Sequence, residues 1–125
     1  MPRRTVMSDA VARPVGPFAA GAWAGDILFL SGQVAQEPRT GSLTGSGVEE
    51  QTEQVLNNVT ALLRAAGKTL DDVVRVSVFL TTMSDFAQMN AVYARHFTEP
   101  YPARTTVAVA GLPLGALVEI EVVAG

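Results

Sequence analysis

Two side chains stand out as able to do chemistry. Arg104 lies in Pro102-Ala103-Arg104-Thr105-Thr106-Val107-Ala108-Val109, and Glu119 lies in Leu117-Val118-Glu119-Ile120-Glu121-Val122-Val123. A guanidinium presents a planar fork of N–H donors that meets a carboxylate through two parallel hydrogen bonds, a geometry lysine does not match. A carboxyl group can take a proton from water and return it to a leaving nitrogen. One clamp and one acid–base group are therefore enough to bind a short organic acid and move protons on it. The residue pattern alone does not separate Glu119 from Glu121, which shares its strand parity.

The other candidates carry less. The sequence has no cysteine and one histidine, which excludes disulfides, thiol chemistry and a conventional structural zinc site. Ser31 lacks a nucleophile-elbow or Ser-Lys signature and is assigned to binding only. Gly16, Gly32 and Gly47 are not spaced to cradle phosphate, and His96 reads as an exposed or capped histidine. Twelve acidic against nine basic residues leave a net charge of −3, without the basic footprint that a polyphosphate partner requires. Nucleic acid is a poor partner on that ground.

Both chemical segments read as strands, being rich in β-branched residues, and the Gly111-Leu112-Pro113-Leu114-Gly115 connector could bring them back alongside each other. Earlier in the chain, Thr5-Val6-Met7 is a short strand candidate. Phe18–Ala24 and Ile27–Gly32 form a hairpin about Gly25-Asp26, the second strand apolar enough to be buried on both faces. Val48, Thr52, Val55, Leu56, Val59, Leu62, Leu63 and Ala66 make a helical stripe, with Glu49, Glu50 and Glu53 at its positive end and Gly67 placed to stop it. Val73–Leu80 predicts a strand with Val74, Val76, Val78 and Leu80 on one side.

A second helix, capped by Ser84 or Asp85, carries Phe86, Met89, Asn90, Tyr93 and Phe97 on one face. Asn90 is the odd residue of that stripe. A buried amide without partners costs roughly 1–3 kcal/mol, so Asn90 should tie the helix to nearby backbone or line a cavity. Tyr101, between two prolines in a loop near Arg104, could line a cleft there.

The order of elements makes strand-helix-strand crossovers, which put both helices on one face of a mixed sheet. A 125-residue chain allows about one domain, spanning residues 1–125. With 48% apolar and 17% charged residues, the open face of that sheet is expected to be covered by subunit association. No signal-peptide pattern and no run near the roughly 18 apolar residues of a membrane span is present, so the expected setting is soluble and cytoplasmic, with no membrane partner.

Val15–Phe18, Phe29–Gln33, Val76–Leu80, Asp85–Asn90, Pro102–Arg104 and Val118–Glu121 together resemble the RidA family, also called YjgF-like, in the same order across nearly the whole chain. The resemblance implies an α+β, chorismate-mutase-like fold and a homotrimer whose sheets line a central barrel, with ligand clefts between subunits. It also implies hydrolytic deamination of reactive enamines and imines, such as 2-aminoacrylate, 2-iminopropanoate and 2-iminobutanoate, to 2-keto acids and ammonia without metal or organic cofactor. Carried onto this sequence, Arg104 would hold the substrate carboxylate and Glu119 would handle water and protons. Phe18, Ser31, Gly32, Asn90 and Thr106 would line the cleft. Two of these depart from the family pattern: Phe18 stands where a tyrosine is common, and Thr106 where a cysteine is common.

Overall fold

The computed structural model describes residues 2–125. Its regular elements are β1 (Thr5–Val6), β2 (Gly21–Ala24), β3 (Ile27–Leu30), α1 (Val48–Ala65), β4 (Val73–Leu80), α2 (Phe86–His96), β5 (Ala103–Ala108) and β6 (Val118–Ala124). The six strands form one sheet in the order β1-β2-β3-β6-β4-β5, parallel only between β4 and β5. This is the α+β arrangement expected, with both helices over one face.

The place of β6 differs from expectation. It does not return beside β5 but inserts between β3 and β4, pairing antiparallel with both. Its inward residues Val118, Ile120, Val122 and Ala124 are all buried, so the centre of the sheet takes the strand with the unbroken apolar parity. β5, whose inward positions include Arg104 and Thr106, is left at the edge.

α1 buries the expected stripe, and Gly67 ends it at φ +77, with the Lys68 N–H returning to the Leu63 carbonyl at 2.8 Å. Two polar residues are also buried on α1. Gln51 Oε1 accepts from the Leu117 N–H at 2.9 Å, and Asn58 Nδ2 donates to the Gln36 carbonyl at 3.0 Å. These bonds fasten to the helix the loop after β3 and the segment that leads into Glu119.

Elsewhere the local detail shifts. The β4–β6 pairing slips between Val73 and Arg75, so Val74 bulges outward and is 54% exposed, while Val73 takes the inward place beside Val76, Val78 and Leu80. β3 alternates rather than burying both sides: Leu28 and Leu30 are inside, Ile27 and Phe29 outside. Asp85 holds the position before α2 as expected but makes no side-chain capping bond; that bond lies one turn earlier, where the Thr82 hydroxyl accepts from the Ser84 N–H at 3.2 Å at the start of a 3-10 turn over Met83–Asp85. His96 is partly buried rather than exposed. Its Nε2 lies 2.9 Å from Glu53 Oε2 and links α2 to α1.

Candidate functional site

Arg104 sits at the second position of β5, opposite Val76, and so faces the helices. Its guanidinium carbon lies 4.6 Å from the centre of the Tyr93 ring and 5.7 Å from that of Phe86, two residues a pair of turns apart on α2. The fork is thus held between aromatic faces, with Asn90 on the turn between them. Cation–π contact of this kind stabilises by about 0.5–2 kcal/mol and leaves the in-plane N–H donors free. Among the described residues no carboxylate pairs with Arg104.

The polar atoms around this arginine are unusual in having nothing to bond. Asn90 Oδ1, Tyr93 OH and Thr106 Oγ1 are buried without a hydrogen-bond partner, on the helix face that Arg104 shares. Burial raises the Tyr93 pKa, and the neighbouring Arg104 charge offsets only part of that rise, so the phenol stays protonated at neutral pH. Arg104, Asn90, Tyr93, Ala94, Tyr101 and Pro102 enclose a cavity of about 300 Å³. Asn90 therefore lines a cavity rather than tying α2 to backbone, and Tyr101 lines it as expected.

Glu119 occupies a different cavity. Its side chain leaves β6 on the face opposite the helices, because Val118 and Ile120 on either side point inward. Beside it β3 breaks its register: Leu28 and Phe29 pair with Ala124 and Val123, but Gln33 pairs with Ile120, which loops out one extra residue at Ser31-Gly32. Gly32 then abuts the carboxyl group, and a Cβ there would collide with Glu119 Oε2 and lie 2.8 Å from its Cδ. Only glycine leaves the carboxyl group its place.

Burial raises the Glu119 pKa, and repulsion from Glu121 adds to the rise. The carboxyl group makes no hydrogen bond with the described residues. Its cavity, about 230 Å³, is walled by Phe18, Gly32, Gln33 and Leu114 among mostly apolar neighbours. Glu121, on the same parity, lies outside it and is exposed. Ser31 stands next to this cavity but donates its hydroxyl to the Ala19 carbonyl at 2.7 Å, while its N–H bonds the Ala20 carbonyl at 2.8 Å. Toward any ligand that hydroxyl can only accept.

Arg104 with Asn90 and Thr106 forms one group, and Glu119 with Gly32 and Phe18 the other. A single chain does not join them. β4 separates their strands, Glu119 is level with Phe79 and Arg104 with Val76, and the two side chains leave opposite faces of the sheet. Along the sheet that places their Cα atoms roughly 14 Å apart.

The family profile described as Endoribonuclease L-PSP matches residues 8–125. A RutC family protein of Pyrococcus horikoshii is 43% identical over 122 residues, covering 98% of this chain and 97% of that one. The crystal structure of RidA from an Antarctic Psychrobacter superposes with a TM-score of 0.94 at 42% identity, covering 98% of each chain. The chain belongs to the RidA/YjgF family. Among its RidA relatives, the chloroplastic Reactive Intermediate Deaminase A of Arabidopsis thaliana is 38% identical over 98% of this chain and 65% of its own length.

Residues that sequence reasoning passed over join both groups of this RidA-family chain. Phe86 and Tyr93 read as core, yet their rings hold the guanidinium; their spacing with Asn90 of four and three residues was the available signal. Leu114 was passed over entirely. It takes φ +61 in a turn where Gly115 follows at φ +72 and the Ala116 N–H returns to the Pro113 carbonyl at 3.1 Å. Such a turn suits Asn or Gly, and a leucine there costs roughly 1–2 kcal/mol. No grouping of His, Cys, Asp and Glu among the described residues could hold a metal ion, and no helix among them is long and apolar enough to cross a membrane.

Proposed function

We propose that this chain is a hydrolytic deaminase of small 2-imino acids, with 2-iminopropanoate, 2-iminobutanoate and the enamine 2-aminoacrylate as the substrate type, working without a metal or organic cofactor. The observation that carries the reading is Arg104: a partly buried guanidinium, fixed between two aromatic rings, with no carboxylate among the described residues to neutralise it. A small carboxylate ligand would complete its pairing through two parallel hydrogen bonds. The name of the Arabidopsis relative supports the same reaction class.

On this reading Arg104 holds the carboxylate of the imine and turns its C2 toward Glu119. Water adds to C2 of the imine in its N-protonated form and gives a proton to the Glu119 carboxylate, forming a carbinolamine, and Glu119 then passes that proton to the nitrogen. The C–N bond breaks, ammonia leaves, and the hydroxyl proton goes to solvent, returning the one the imine nitrogen brought. The balance is one imine plus one water to one 2-keto acid plus one ammonia. Burial and Glu121 raise the Glu119 pKa above the ordinary carboxylate range, which suits a group that must both take and return a proton. Asn90 and Thr106, with orphaned oxygens beside Arg104, would accept from bound water or from the substrate nitrogen. Ser31 and Gly32 would shape the wall behind Glu119.

Because Arg104 and Glu119 leave opposite faces in one chain, the reaction requires two copies. Docking of one chain's β5 edge, beside its Arg104 cavity, on the open sheet face of another, where Phe29 and Val107 are 49% and 41% exposed, would cover that apolar surface and bring one chain's Arg104 to another's Glu119. A homotrimer closed around those faces is the assembly proposed, in the cytoplasm.

A second reading rests on Phe18. Its ring brings no hydroxyl to the Glu119 cavity, which favours a trimer that binds small carboxylic acids without turning them over. The endoribonuclease in the family's description fits poorly with a net charge of −3 and a carboxyl group at the centre of the cavity. The decisive experiment generates 2-iminopropanoate in situ and follows its loss. Accelerated loss by the wild-type chain, abolished in Arg104→Ala, supports the deaminase. Equal rates for the two, with calorimetric binding of pyruvate that depends on Arg104, would leave the binding protein instead.

A further inference from the structure

The Glu119 cavity carries more information than a place for water. Apart from Gln33, Gln36 and Glu119, its walls are apolar: Val11, Pro14, Val15, Phe18, Val34 and Leu114. Val11 and Val34 are buried, whereas Val15, Phe18 and Leu114 are 75%, 51% and 54% exposed. The inner wall is finished, then, and the rim is a set of large apolar side chains with unmet surface.

Leu114 gives this rim a second, independent mark. It is the single non-glycine residue at positive φ among those described, and it spends that backbone strain on a side chain that its own chain leaves more than half exposed. Asn would relieve the turn, and a polar rim would be the ordinary outcome for a surface loop. Strain retained at the mouth of a cavity calls for an occupant that the strained residue touches. Two gaps limit who that occupant is. The cavity volume of about 230 Å³ equals the liquid share of roughly eight waters, more than the one that hydrolysis consumes. Among the described residues that line it the one charged group is Glu119, whose neighbour Glu121 adds negative charge, so an anionic side chain is unwelcome.

We infer that this cavity is the subsite for the side chain of the substrate, and that Leu114 and Phe18 select 2-imino acids with branched aliphatic or aromatic side chains over the one-carbon side chain of 2-iminopropanoate and over acidic ones. The inference rests on the deaminase reading for its reaction, but not for its binding preference. Phe18 then has a role where the missing hydroxyl was a puzzle: it trades a polar contact for apolar area against the side chain. An alkyl group of three further carbons entering this wall should gain at least about tenfold in affinity over a methyl group.

The test uses the full chain as assembled and two readouts. Calorimetry compares pyruvate, 4-methyl-2-oxopentanoate, phenylpyruvate and 2-oxoglutarate, the stable keto acids that correspond to the candidate imines. The wild-type protein should bind the branched or aromatic acid at least about tenfold more tightly than pyruvate, with 2-oxoglutarate weakest, and Leu114→Asn should shrink that gap while raising the melting temperature, since it relieves the turn. Equal affinities, a preference for pyruvate, or a gap untouched by Leu114→Asn would overturn the inference. The parallel kinetic arm, with the matching imines made in situ, reads the ratio of kcat/KM values. An affinity gap that is present while no imine is turned over would sink the deaminase reading and leave the subsite standing. Turnover with a flat profile would do the reverse.

Discussion

The Arg104 region and the Glu119 region are built on opposite principles. Around Arg104 the charge is fixed before any ligand arrives: aromatic rings flank the guanidinium, and three buried oxygens wait without partners. Around Glu119 the carboxyl group is tolerated rather than held, pressed against Gly32 with burial and Glu121 both opposing its ionisation. A clamp gains from rigidity because its charge never changes. An acid–base group gains from a setting that leaves its two protonation states close in energy. On the proposed function each region is half of a site, and the halves meet only if chains associate, because the two side chains leave opposite faces of the sheet.

The largest effect should come from breaking the clamp. Arg104→Lys keeps the charge but loses the fork and the stacking on Phe86 and Tyr93, and kcat/KM for an imine should fall about a hundredfold. A loss under threefold would mean that charge alone suffices and that the aromatic sandwich is incidental.

Next in size is a test of the halves themselves. Arg104→Ala and Glu119→Gln should each be nearly inactive as pure assemblies. Mixed by co-expression in equal amounts, they should regain about one quarter of wild-type sites, because that fraction of interfaces joins an intact arginine from one chain to an intact glutamate from another. No recovery in assemblies shown by mass spectrometry to be mixed would mean that the two residues serve one chain's own site.

What the sequence could and could not disclose follows the same division. Helix periodicity exposed α1 and α2 because each stripe is a local property, and the Gly67 stop was readable for the same reason. The position of β6 was hidden, since which strands pair depends on contacts far apart in the chain. The facing of β5 was hidden for a different reason. Val107 marks the outer side and Arg104 the inner, the reverse of what hydropathy suggests, because an edge strand under a short helix need not bury its apolar residues. The bulge at Val74 and the buried amides Gln51 and Asn58 depend on backbone geometry that composition does not encode. Arg104 and Glu119 were therefore legible as residue types, whereas their placement on opposite faces was not.

A moderate effect should separate the ring of Tyr93 from its hydroxyl. Tyr93→Phe keeps the face that supports Arg104 and removes a buried oxygen with no partner, so the fold should be as stable or more so. If that oxygen meets substrate, KM rises in Tyr93→Phe; if only the ring matters, KM stays within twofold or so while Tyr93→Leu raises it about tenfold. A KM that rises equally in both variants would assign the role to the hydroxyl, and the picture of a guanidinium oriented by aromatic faces would fail.

The smallest effect concerns protons, and its sign can be worked out. Burial and Glu121 raise the folded-state pKa of Glu119 above its unfolded value, so the folded chain binds that proton more tightly than the unfolded one. Stability from this residue is therefore greatest below the unfolded carboxylate pKa and declines as pH rises through the folded value. Glu119→Gln, which never ionises, should melt higher than wild type at neutral pH, and the difference should vanish as the solution is acidified. The same shift should appear in catalysis. The acidic limb of the kcat/KM profile belongs to the free enzyme, and Glu121→Gln, by removing the negative neighbour, should move that limb to lower pH. A limb that stays in place while the melting temperature of Glu119→Gln still rises would separate the two roles: Glu119 would be a strained carboxylate of the fold, and the proton carrier would have to be sought among the groups around Arg104.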